Sequence, residues 1–195
     1  MKKAYLSFIA FMLVLSFSSC AITEVNEKAI IEGVFVNESG GQLEYTFAVP
    51  LYEEEEITQE YITVTAENLE TAFDGLEKVT AKKPFPGQNK YVILSDNLNS
   101  EQVKEVLKDM SADYEWRKDC VFFFADDKAF DYIREEKITS EHIVDFIEIY
   151  NAKNRKKTTG LFKAEKASKE ELYEYIFPVF TIEEEGLSEK ETRTI

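Results

Sequence analysis

Lys90-Tyr-Val-Ile-Leu-Ser95, Ser100-Glu-Gln-Val-Lys-Glu-Val-Leu-Lys-Asp-Met110 and Cys120-Val-Phe-Phe-Phe-Ala125 decide the fold class. The first and last are short, almost continuously apolar runs, the pattern of strands covered on both faces. Between them, Val103, Val106, Leu107 and Met110 recur at helical spacing. Ser100 stands where an N-cap belongs. A helix between two strands implies parallel pairing through a right-handed crossover.

The same alternation continues on both sides. Downstream, Asp126 or Asp127 can cap a short helix carrying Ala129, Phe130 and Ile133, and a second helix from about Ser140 turns Ile143, Phe146, Ile147 and Tyr150 inward. Residues 151–159 are basic and polar and read as a loop; residues 168–175 read as a helical turn or two; residues 177–182 form a last apolar piece. Upstream, residues 69–79 place Leu69, Ala72, Phe73, Leu76 and Val79 on one helical face, closed by Pro84, Pro86 and Gly87, and Tyr61-Ile-Thr-Val-Thr65 is a strand before it. Leu43, Tyr45, Phe47 and Val49 alternate with period two and share one face. With the β-rich run 29–36 and the turn cluster 37–42 they read as a hairpin that Pro50 ends. The expected fold is therefore α/β (α+β mixed): an N-terminal β-hairpin joined to a mixed β-sheet with helices packed against it.

The first residues belong to another kind of segment. Lys2 and Lys3, an apolar run from Ala4 to Phe17 broken only by Ser7 and Ser16, and then Ser18, Ser19 and Cys20 follow the order of a secretory signal. The run is shorter than the roughly 20 apolar residues that span a bilayer. A cysteine directly after small residues has the form of a lipobox, in which the thiol takes a diacylglycerol and cleavage precedes the cysteine. Phe17 stands where Leu is usual; an ordinary secretory signal with an incidental cysteine is the alternative. Two buried chains suffice for stable anchoring where one does not. The expected organisation is a leader over 1–19, a lipidated tether over 20–28, one domain over 29–183 and a polar, frayed tail over 184–195.

Charge and cysteine count bound the function. The chain carries 23 basic and 38 acidic residues, a formal net charge of −15. Such a surface repels nucleic acid and anionic headgroups and favours basic partner faces. Once Cys20 is acylated, Cys120 has no partner, and its apolar surroundings make it a buried small residue rather than half of a disulfide. His142, the single histidine, lies beside Glu141 and reads as exposed. No zinc spacing, nucleophile elbow, P-loop or dinucleotide fingerprint is present. The Glu53–Glu56 run reads as a solvated connecting loop rather than a cation site. No catalytic set, metal site or cofactor is expected, and the chain reads as a non-enzyme.

Glu24-Val-Asn-Glu27 and the strand Ala29-Ile-Ile-Glu-Gly33 after Cys20, the helix Thr65 to Lys78, the strand Gln88 to Ser95, the helix–strand–helix Val103 to Met110 and Cys120 to Ile133, and Phe177-Pro-Val-Phe-Thr-Ile-Glu183 together resemble the N-terminal domain of the Ger(x)C family. These are the C-subunit lipoproteins of spore germinant receptors. Ala21 stands where the family commonly has Trp, and full-length members continue through two further domains. The resemblance implies a non-catalytic accessory or scaffold subunit. It would be held by lipid on Cys20 to the outer face of the spore inner membrane, with integral membrane A- and B-type receptor subunits as partners. The alternative is a lipid-anchored lipoprotein that captures a small ligand for a transporter.

Overall fold

The computed structural model describes residues 27–53, 56–112, 115–135, 138–154, 160–170, 177–183 and 186–193. Nine strands and five α-helices alternate along them. They are β1 (Lys28–Ile30), β2 (Gly33–Ser39), β3 (Gln42–Glu53), β4 (Glu56–Ala66), α1 (Leu69–Thr80), β5 (Lys83–Phe85), β6 (Tyr91–Ser95), α2 (Ser100–Ala112), β7 (Val121–Ala125), α3 (Asp127–Glu135), α4 (Ser140–Lys153), α5 (Leu161–Glu170), β8 (Phe177–Glu183) and β9 (Gly186–Arg193). Seven strands form one mixed sheet in the order β4-β3-β2-β6-β7-β8-β9, and β1 and β5 make a separate parallel pair. The four central strands β2, β6, β7 and β8 are mutually parallel, and each end is closed by an antiparallel partner. The α/β expectation holds.

Period-two alternation divides the interior into two layers. Val34, Val36, Val92, Leu94, Phe122 and Phe124 point to the face covered by α1, α2 and α5. Phe35, Tyr91, Ile93, Phe123 and Ala125 point to the opposite face, covered by α3 and α4. That is why the central strands read as unbroken apolar runs. All four residues assigned to the inner face of α2 are buried. On α1, Leu69, Ala72 and Leu76 are buried, whereas Val79 is 66% exposed and borders an open recess beside Val49, Leu51 and Ile62.

Several local expectations change. The run 29–36 is two strands rather than one. The Ile31 N–H donates to Phe85 O in the small sheet, and the next N–H, of Glu32, donates to Ala48 O in the large one, so the chain changes sheets between them. Pro50 does not end the hairpin, for β3 continues to Glu53. Ala48 O faces β2, so by strand alternation residue 50 faces the same side, past the point where β2 begins. The missing proline N–H therefore costs no ladder bond. Gly40 and Gly41 do form the hairpin turn, both with positive φ (61° and 85°), as a type I′ connection requires. The cap of α2 is Asn99 rather than Ser100: its side chain accepts from the N–H groups of Glu101 and Gln102, and Gln102 Oε1 accepts from the Asn99 N–H. Asp126 accepts from the Ala129 N–H at α3. α4 continues to Lys153 inside the segment read as a loop, and α5 begins at Leu161, earlier than expected.

The tail is not frayed throughout. Residues 186–193 form β9, antiparallel to β8. Polarity hid it, because its partners lie far away in sequence: Lys190 reaches the carboxylates of Asp96 and Asp126, and Arg193 donates to the carbonyls of Asp96 and Leu98 with its guanidinium over the Phe124 ring.

Candidate functional site

Cys20 and the rest of the leader and tether up to residue 26 lie outside the described residues, as do residues 54–55 of the glutamate run. Glu53 and Glu56 close the β3–β4 hairpin as paired strand ends. Lys28, expected in the tether, is in β1 with its ammonium 4.1 Å from the Phe85 ring centre. Cys120 is buried and free, and burial pushes its thiol up to about 12. It is a packing residue without thiolate reactivity at neutral pH. His142 is exposed; its ring nitrogen Nδ1 lies 3.2 Å from the Thr139 hydroxyl that caps α4. Among the described residues no group of His, Cys, Asp or Glu is placed to hold a metal. No helix there is long and apolar enough to cross a membrane.

One polar cluster lies where the parallel strands begin. Gln59 of β4, 4% exposed, donates through Nε2 to Ser140 Oγ at 2.6 Å and to Glu32 Oε2 at 3.1 Å. Tyr61 donates to Ile138 O, and Lys90 bridges Glu32 and Glu141. Burial opposes the charge on Lys90, but hydrogen bonds to Glu141 and Glu32 outweigh it and raise its pKa. The hydrogen bond from Lys90 holds Glu141 below the usual carboxylate range. The Tyr91 ring fills the space over Gly33, where an added Cβ would fall 1.9 Å from Tyr91 Cζ. The cluster contains no nucleophile set beside a base. Its geometry is that of a clamp fixing the β3–β4 hairpin, towards its closed end, to the N-terminus of α4.

A second surface is open. α3 and α4 cover the central strands and, with Ile138, the part of β3 and β4 around Ala48, Gln59 and Tyr61, but farther along the same face no helix among the described residues lies over Thr46, Thr63 and Thr65. Thr63 and Thr65 are exposed, and the Thr46 and Thr63 hydroxyls bond each other at 2.8 Å. Where the bare strands meet α3 there is a recess of about 200 Å³ that includes Glu44, Thr46, Asp127, Phe130 and Asp131, with Arg134 paired to Asp131 at 2.6 Å. Periodicity could place these residues on a face. It could not show that no helix covers them, since that depends on which strand ends the sheet.

The family model of the spore germination protein N-terminal domain matches residues 22–182. The chain belongs to that family. The match runs from the second residue after Cys20 to the end of β8 and leaves β9 outside it. No curated protein and no solved structure matches the chain. Membership gives this spore germination domain a role related to germinant receptors, as the resemblance to the Ger(x)C N-terminal domain implied.

Proposed function

We propose that this protein is a non-catalytic accessory or scaffold subunit of a spore germinant receptor. It is held by lipid on Cys20 at the outer face of the membrane and docks on integral membrane A- and B-type subunits. The observation that carries the reading is the family match over residues 22–182, directly behind a lipobox-like Cys20. A buried, unreactive Cys120 and an exposed lone His142 agree with a binding role. The same match is why the transporter-linked reading stands second.

Metabolic labelling with palmitate tests the anchor: wild type takes up label and Cys20→Ala does not, and equal labelling would sink the anchor. Detergent extracts of spores test the role. The tagged protein should recover its membrane partners, and its deletion should slow germination on one class of nutrient. Normal germination on every nutrient, with no membrane partner recovered, overturns the role.

A further inference from the structure

The two edges of the seven-stranded sheet are built differently. In β9, Glu191 pairs with Val179 and Glu189 with Phe180, so Lys190 is an extra residue in a bulge. A bulge and a lysine are the usual devices that stop an edge from recruiting another strand. β4 has neither. It pairs with β3 over 11 residues in unbroken register, without lysine or proline. Because Ala48 O faces β2, Phe47 and Val49 face β4, and their partners Ile62 and Glu60 face back. Tyr61, Thr63 and Thr65 therefore turn their N–H and C=O groups to the outer edge, whereas Gln59, on the same side, is buried under the clamp. Among the described residues these groups have no backbone partner.

We infer that the β4 edge and the bare face beside it dock an extended, basic segment of a partner protein by strand addition. Backbone pairing supplies the docking, and alternate side chains supply the choice of partner. The charge of the surface selects the chemistry. Glu44, Asp127 and Asp131 border the recess, while Arg134 is already paired. A second copy would bring together two bodies of net charge −15, whereas lysines or arginines on an incoming strand meet carboxylates. The inference rests on the partner-docking role proposed above and names the surface that would serve it.

The test uses the full lipoprotein in detergent micelles and a short peptide alternating lysine with valine and threonine. Its counterpart carries glutamate for lysine. The basic peptide should slow amide exchange across β4 and leave β9 unchanged. The acidic peptide should bind at least about tenfold more weakly. Thr63→Pro removes an outward N–H without touching the ladder to β3, and Thr63→Lys adds a repelling charge. Both should lose about tenfold in affinity for the basic peptide while keeping the wild-type unfolding transition. Equal binding of the two peptides, protection at β9, or unchanged binding by Thr63→Pro would overturn the inference. So would protection of β4 that rises with protein concentration in the absence of peptide, which would mean self-pairing. In spore extracts, full recovery of the membrane partners by Thr63→Pro overturns this surface and leaves the accessory role standing. Failure of the wild type to recover any partner, with the peptide results as expected, removes only the accessory role.

Discussion

At the β4 end of the sheet the hairpin is held by burial; at the β9 end the last strand is held by charge. Tyr45, Phe47 and Ile62 sit under α1, with Phe47 against Phe73 and Phe73 stacked on Trp116. Lys190 and Arg193 tie β9 to Asp96, Asp126 and Leu98 across the ends of β6 and β7. Apolar burial is non-directional and leaves the backbone edge of β4 free. Charge pairing is specific, fixes β9 in one place and blunts its edge. The difference explains why one end of the sheet is available to a partner and the other is closed.

The largest effect should come from the buried end. Phe47 is fully buried, and Phe47→Ala should destabilise the fold by ~3–5 kcal/mol. The loss should appear in urea as a lower midpoint and should not depend on salt. A loss below ~1 kcal/mol would mean that the hairpin end is not part of the cooperative core.

Gly33 tests the clamp under the same hairpin. Gly33→Ala places a methyl group into the Tyr91 ring, which is itself fully buried. Overpacking of this kind costs ~1–3 kcal/mol. Thermal unfolding of Gly33→Ala with and without Tyr91→Ala reads it: the double variant should lose less than the two single losses added together. Additive losses would show that Tyr91 moves aside freely.

How much of this was legible depends on range. The alternation of Leu43, Tyr45 and Phe47 and the helical spacing of Val103 to Met110 are local patterns, and both appear where the sequence puts them. β1 and β5 span three residues each, too short for any period to register. β9 reads as a solvated tail because Glu189, Lys190 and Glu191 are polar, and the partners of Lys190, Asp96 and Asp126, are set by the tertiary fold. Val79 fits the α1 pattern and is exposed, because the pattern cannot show that the helix and the strands leave a recess open beside it. For the open surface, Thr63 and Thr65 are visible in the sequence as a strand, but which strand lies last in the sheet is topology. Cys20 is the reverse case, legible from the leader and lying outside the described residues.

The charged end should respond less. Arg193→Ala removes two hydrogen bonds to carbonyls and the contact with Phe124. The expected cost is ~1–2 kcal/mol. Amide exchange should accelerate across β9 and remain unchanged in β4. Acceleration in both strands would dissolve the contrast between the two ends.

The smallest effect separates charge from packing at the clamp. The hydrogen bond from Lys90 lowers the pKa of Glu141. The stability this gives is present above the ordinary carboxylate value, ~4.3, and is lost as pH falls through the lowered one. Lys90 is raised, against burial, by Glu141 and Glu32. Its contribution is whole below its ordinary value and is lost only as pH rises through the raised one. At neutral pH both are present. The Glu141 side chain is 66% exposed, so solvent screening keeps the pair within ~0.5 kcal/mol. Urea midpoints of wild type and Glu141→Gln should thus differ slightly at pH 7 and converge as pH falls through the lowered Glu141 value, below which both side chains are neutral. Arg193→Ala should show no such convergence, because the guanidinium stays charged and its acceptors are carbonyls. A Glu141→Gln difference that persists into acid would mean that Glu141 acts by packing on α4, and the ion pair with Lys90 would drop out of the account of how the hairpin is clamped.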